Sequence, residues 1–225
     1  ARTIAHVRGV LTFDQVTFTH DAGRRPVLDQ VSFHVAAGQT LGIIGRPGSG
    51  KTTLLNLIPR LYDLDAGRIL LDGIDIRDLR LSSLRSQVVF MPQEPFIFAG
   101  SIKENITLGD TTLASADVIA ATQAASLWET IQAFPQGFDT IVGEKGVMLS
   151  GGQKQRVALA RALLHQAPIL LLDDPISQVD SETARLILAT MRSQAGKRTT
   201  LIVTHRLAAV RDADQIIMLD EGRIV

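Results

Sequence analysis

Thr40-Leu41-Gly42-Ile43-Ile44 is a short apolar run that leads directly into Gly45-Arg46-Pro47-Gly48-Ser49-Gly50-Lys51-Thr52, and helix-forming residues continue from Thr52 to Ile58. Buried strand, glycine-rich turn and helix in immediate succession fit the P-loop pattern G-x-x-x-x-G-K-[ST], and they commit the chain to an α/β layer. Gly45, Gly48 and Gly50 let backbone N–H groups turn toward an anion, and the positive end of the following helix adds to the attraction. Lys51 is placed to reach the β- and γ-phosphates of a nucleotide, and the Thr52 hydroxyl to ligate Mg²⁺. The whole segment, with Arg46, Pro47, Ser49 and Thr53, is read as phosphate-binding.

The rest of the chain supplies the layers this unit needs. Val10 to Phe18 and Val27 to Val35 alternate apolar and polar residues around the turn-like Asp21-Ala22-Gly23-Arg24-Arg25-Pro26, the pattern of half-buried antiparallel strands. Arg68 to Leu71, Val88 to Met91, Ile169 to Leu172, Thr199 to Thr204 and Gln215 to Leu219 are further short β-type runs. Helical stretches between several of them predict a mostly parallel sheet covered on both faces. From Glu94 to about Leu149 the pattern changes: Ala114 to Ala125 and Leu127 to Ala133 read as helices, and no convincing strand is present. The expectation is an α/β core with an N-terminal antiparallel β-subdomain (residues 1–93 and 157–225 together) and an inserted helical subdomain (94–156).

Composition narrows the function classes. Lys and Arg total 23 and so do Asp and Glu, so no net field recruits nucleic acid or an acidic membrane surface. The absence of cysteine excludes disulfides and thiolate metal sites. The first ten residues lack the apolar segment of a signal peptide. No apolar run approaches the roughly 18 residues of a membrane-spanning helix, so the piece is expected to be soluble. The ending Glu221-Gly222-Arg223-Ile224-Val225 falls in strand-like sequence, which suggests a piece of something longer.

Ile169-Leu170-Leu171-Leu172-Asp173 fits the Walker B strand, in which an apolar strand carries a carboxylate, Asp173, to the Mg²⁺ position beside the phosphates. Leu149-Ser150-Gly151-Gly152-Gln153 precedes the helix-forming run Lys154 to Leu163, with Ser150 a natural N-cap. P-loop, this pentapeptide and the Walker B strand, in that order, resemble the ATP-binding cassette family, whose fold is a RecA-like P-loop NTPase core. The similarity runs from about Leu11 to Ile224. It implies that Ser150, Gly151, Gly152 and Gln153 cap ATP held by the P-loop of a second, facing domain, and hence a head-to-tail dimer with two shared MgATP sites.

Further positions follow from the same resemblance. Gln93 matches the glutamine that contacts Mg²⁺ and the attacking water, and His205 the histidine that contacts the γ-phosphate. Ser177-Gln178-Val179-Asp180 matches the loop that runs along the dimer interface, although Gln178 and the preceding Pro175-Ile176 depart from its usual form. His20 stands where the family commonly carries a tyrosine that stacks on adenine, and its readings as base contact and plain loop residue remain open. Glu144, in Thr140 to Gly146, matches a loop that touches the intracellular coupling helices of exporters. Asp174 stands where efficient family members carry the glutamate that activates water. One missing methylene there, with catalysis sensitive to about 1 Å, implies an impaired site. The resemblance therefore implies the ATP-binding and hydrolysing domain of an exporter, on the cytoplasmic face of a membrane. Its partners would be a second nucleotide-binding domain and a transmembrane domain, with no nucleic acid. Alternatives are a fully active homodimeric exporter ATPase and a non-transport member of the same family.

Overall fold

Alternation and apolar runs become strands, and the capped helix-forming segments become helices, in the computed structural model, which describes all residues except 1, 5, 21–24, 144, 145 and 194. In chain order the elements begin with β1 (Leu11–Phe18), β2 (Leu28–Val35), β3 (Thr40–Gly45), α1 (Lys51–Leu57), β4 (Ala66–Leu71) and β5 (Ile74–Asp75). Next come α2 (Leu81–Arg85), β6 (Val88–Met91), β7 (Gly100–Ser101), α3 (Ile102–Thr107), α4 (Ser115–Ala124), α5 (Trp128–Gln132) and β8 (Ile141–Val142). The chain ends with α6 (Gly151–Leu164), β9 (Ile169–Asp173), α7 (Ser181–Ser193), β10 (Thr199–Val203), β11 (Gln215–Asp220) and β12 (Arg223–Ile224). Contacts group these into two units, Ala1–Phe90 with Ala167–Asp174 and Gln194–Val225, and Met91–Gln166 with Pro175–Ser193.

The first unit holds two sheets. One has the order β2-β1-β4-β5, and β1 pairs antiparallel with both β2 and β4. The other is six-stranded, β12-β11-β3-β10-β9-β6, and β11, β3, β10 and β9 run parallel in it. Every residue of β9 is buried, as a parallel strand between covered faces requires. A single cluster of buried side chains takes Leu11, Phe13 and Leu28 from one sheet, Ile43, Leu171 and Leu201 from the other, and Leu54 and Leu57 from α1. Phe13 and Phe33 stack at 4.4 Å. This packing fixes the tips of β3, β9 and β10, where the candidate residues cluster.

The second unit is mostly helical. Helix α6 packs on α3 and α4. It opens with a reciprocal capping box, in which Ser150 Oγ accepts from Gln153 N at 3.3 Å and Gln153 Oε1 accepts from Ser150 N at 2.8 Å, the expected N-terminal device. One expectation is corrected here. The stretch from Glu94 to Leu149 does contain strand, because β7 and β8 pair antiparallel through Gly100↔Val142 and Ser101↔Ile141. Two-residue strands carry no alternation to read. They exist because pairing across about forty residues satisfies their backbone groups.

Candidate functional site

The P-loop is set by backbone geometry. Gly50 is the N-cap of α1 with φ +99°, a left-handed conformation, and a Cβ there would come within 2.7 Å of the Val27 carbonyl oxygen. Only glycine fits on both counts. The chain then turns so that Lys51 enters the helix with its ammonium curled back over the loop. Lys51 Nζ donates to Gly45 O and Arg46 O, each at 2.8 Å, and reaches Ser49 Oγ at 3.4 Å. Burial pulls the pKa of Lys51 down, and the negative charges of Asp173 and Asp174 work against that. Arg46, Pro47, Gly48 and Thr52 face solvent, while Ser49 and Thr53 are buried.

Asp173 sits at the tip of β9 and is 1% exposed. Its carboxylate accepts a hydrogen bond from the Thr52 hydroxyl, and the charges of Lys51, Asp174 and His205 act on it. Oδ2 is buried with no hydrogen-bond partner. Desolvation is the largest influence and raises its pKa, Thr52 lowers it, and Asp174 raises it further. A buried oxygen of this kind, beside a hydroxyl on a helix N-terminus, suits a hard cation with oxygen ligands. Among the described residues no group of three or more His, Cys, Asp or Glu side chains could hold a metal unaided. The donor set fits Mg²⁺, which keeps waters and takes phosphate oxygens rather than an all-protein cage.

Asp174 is held differently. Its backbone is left-handed, with φ +49°, and its N–H donates to Val203 O at 2.8 Å. Thr204 Oγ1, fully buried, donates to Asp174 Oδ1 at 3.2 Å, so the short carboxylate is drawn toward the end of β10. His205 follows Thr204 and is exposed. The structure thus brings Gly45–Thr53, Asp173, Asp174 and His205 together at the strand tips of one unit.

Of the remaining expected residues, His20 also reaches the P-loop segment through Thr53, and the other described ones belong to the second unit. His20 is at the end of β1; its Nε2 is 3.4 Å from Thr53 Oγ1, and its ring meets Phe18 edge-on at 4.9 Å. Tyr62, which the sequence reading passed over, packs edge-on against His20 at 5.3 Å and is 44% exposed. It lies 42 positions away, with no motif to connect the two. Thr204 was also passed over; its position just before His205 was the available signal. Gln93 is exposed in the second unit. Ser150 and Gly151 are exposed, with Gly152 and Gln153 half-buried. Because Ser150 Oγ accepts within the capping box, its proton is free to be donated outward. The Asp180 carboxylate caps α7, accepting from Thr183 Oγ1 at 2.7 Å and Thr183 N at 2.9 Å; these bonds lower its pKa. Glu144 lies outside the described residues.

A family model described as ABC transporter matches residues 28–177. The chain belongs to the ABC transporter family. As an ABC ATPase domain it is 47% identical over its full length to an ATP-dependent lipid A-core flippase of Thiobacillus denitrificans, of which it covers 39%. It is 42% identical to another protein of that name from Nitrosococcus oceani, covering 38%. Among solved structures, a bacterial Atm1-family ABC exporter with ATP bound matches the whole chain at 44% identity and a TM-score of 0.95, over 40% of that exporter's length. The chain spans about two fifths of the length of these relatives. The expected family, the exporter-type nucleotide-binding domain and the α/β P-loop fold are borne out by these matches.

Proposed function

We propose that this chain is the ATP-binding and hydrolysing domain of an ABC exporter, and that it drives export by closing head-to-tail with a second such domain around two MgATP molecules. The observation that carries most weight is the buried, unpartnered Asp173 Oδ2 beside the Thr52 hydroxyl, with Lys51 arched over the P-loop. In each shared site the P-loop, Asp173 and His205 come from one domain, and Ser150 to Gln153 from the other. Thr52 and Asp173 would hold Mg²⁺, which when bound would supply neutralisation of phosphate charge; Gln93 has the role of metal and water contact that the family resemblance gives it. Lys51 meets the β- and γ-phosphates in place of its present carbonyl partners. Catalysis of this kind depends on positioning and charge rather than covalent chemistry. ATP favours the closed state because only that state binds it from both sides.

Among the described residues no helix is long and apolar enough to cross a membrane, so the membrane part belongs to other sequence. Phe96, Phe98, Leu108 and Met148 are large apolar side chains left exposed on the second unit, and the Phe96 and Phe98 rings, which meet edge-on at 4.9 Å, suit contact with a coupling helix at the cytoplasmic membrane face. The substrate is not encoded in this domain; the lipid A-core flippase relatives make a large amphipathic lipid the first class to test.

Asp174 points to a weakly hydrolysing site. Its carboxylate is one methylene shorter than the glutamate of efficient family members, and Thr204 engages it. ATP turnover across protein concentrations, for this chain and for Asp174→Glu, tests both statements. A sharp rise with glutamate, growing faster than linearly in protein, supports dimerisation and a degenerate site paired with a paralogue. High turnover of the unmodified chain with no gain from glutamate favours an active homodimer.

A further inference from the structure

Helix α6 and the loop Ser177-Gln178-Val179-Asp180 are tied together inside the second unit by a buried amide. Gln155 is fully buried one turn inside the helix. Its Oε1 accepts from Gln178 N at 2.9 Å, and its Nε2 donates to Ser177 Oγ at 2.9 Å. A carboxamide offers an acceptor and donors in one plane, and here both ends engage the same loop. The helix start closes on that loop as well. A Cβ on Gly152 would lie 2.7 Å from Gln178 O, and one on Gly151 would run into the Gln178 side-chain oxygen. Gly152 is therefore small because the loop backbone packs on it. Gln178, a departure from the usual loop sequence, is the residue that covers Gly151.

From these contacts we infer that Gln155 is a positioning residue for catalysis: it makes the Ser150–Gln153 turn and the Ser177–Asp180 loop one rigid piece. This rests on the proposed function, because both segments face the second nucleotide-binding domain in that reading. The loop begins three residues after Asp174, along Asp174-Pro175-Ile176-Ser177. A shift of α6 is thus passed through Gln155 to the stretch of chain that leads back to Asp174. Neither a nucleotide nor the metal needs to touch Gln155 for this to work. Gln155→Leu keeps the side-chain volume roughly constant and deletes both hydrogen bonds.

The experiment uses the 225-residue chain and three variants, Gln155→Leu, Ser177→Ala and the double replacement. The first readout is hydrogen exchange at the Gln178 amide, slow in the parent because its acceptor is buried. It becomes fast in Gln155→Leu, while amides of β9 and β10 stay protected and report an intact fold. The second is steady-state ATP turnover. The kcat of Gln155→Leu falls about 10- to 100-fold, the scale of a 1 Å misplacement, while KM for ATP and binding of a fluorescent ATP analogue change less than about two-fold, since the P-loop is untouched. Ser177→Ala lowers kcat in the same direction, and the double variant is no worse than Gln155→Leu alone, as a shared clamp demands. Unchanged Gln178 exchange in Gln155→Leu overturns the clamp. Fast exchange with unchanged kcat overturns its role in positioning, as do losses that multiply in the double variant. If the parent neither binds the fluorescent ATP analogue nor turns over ATP, the proposed function fails, and Gln178 exchange still decides whether the clamp exists.

Discussion

Asp173→Asn is expected to stabilise the nucleotide-free chain while abolishing its response to MgATP. The carboxylate is 1% exposed and one of its oxygens has no hydrogen-bond partner. Leaving a buried charged group unsatisfied costs about 1–3 kcal/mol or more, and the attraction of Lys51 offsets part of it. A neutral amide keeps the bond to Thr52 and removes the charge, which leaves a net gain of about 1–2 kcal/mol. For a chain of this size each kcal/mol moves the midpoint by about 2–4 °C, so a rise of about 2–8 °C is expected. The pH dependence gives a second handle. Burial raises the Asp173 pKa above its ordinary value, so the folded state holds that proton more tightly than the unfolded state. Its contribution to stability is then lost as pH rises from the ordinary carboxylate range through the folded value. The advantage of Asn is accordingly present in full at pH above the raised value, and it fades as pH falls toward the ordinary range. Differential scanning fluorimetry from pH 4 to 8, with and without MgATP, measures all of this. A lower midpoint for Asp173→Asn in the absence of nucleotide would refute the reasoning, since the carboxylate would then be net stabilising through Lys51.

Three further substitutions follow from the geometry. Gly50→Ala places a Cβ at φ +99° and 2.7 Å from Val27 O; it should lower the unfolding free energy measured in urea by more than about 1 kcal/mol and weaken ATP binding, and a parent-like Kd would show that the loop relaxes freely. Thr204→Val removes the donor to Asp174 and the acceptor of Arg206 N at 3.0 Å; a loss of about 1–3 kcal/mol is expected in denaturation, and none if both groups re-pair. His20→Ala removes a ring set between Phe18 and Tyr62; if it stacks on the base, at about 0.5–1.5 kcal/mol for an aromatic pair, KM for ATP rises about 2- to 12-fold at similar kcat. An unchanged KM makes His20 a plain loop residue.

The strands of the first unit were legible because each has its own signal. β1 and β2 alternate, and β3, β9 and β10 are continuous apolar runs between turn residues, so their ends fall within about two residues of the expected ones. The P-loop was legible because glycine spacing records a backbone conformation directly. The β7–β8 ribbon was not, since its stability lies wholly in the partner strand. Tyr62 beside His20 was hidden for the same reason, as was the grip of Thr204 on Asp174: each is a meeting of segments remote in sequence.

Local chemistry, then, was written in the chain: which loop turns toward phosphate, which strand ends in a carboxylate, which helix starts with a serine cap, and which family these share. Periodicity and backbone preference are properties of neighbouring residues, and a sequence displays them in order. Only the tertiary structure decided how the polar groups are spent. It left Asp173 Oδ2 without a partner, set Thr204 against the Asp174 carboxylate, and buried Gln155 against the Ser177 loop. A hydrogen bond is a matter of a few tenths of an ångström between groups that folding brings together, and that distance exists only once the core has packed.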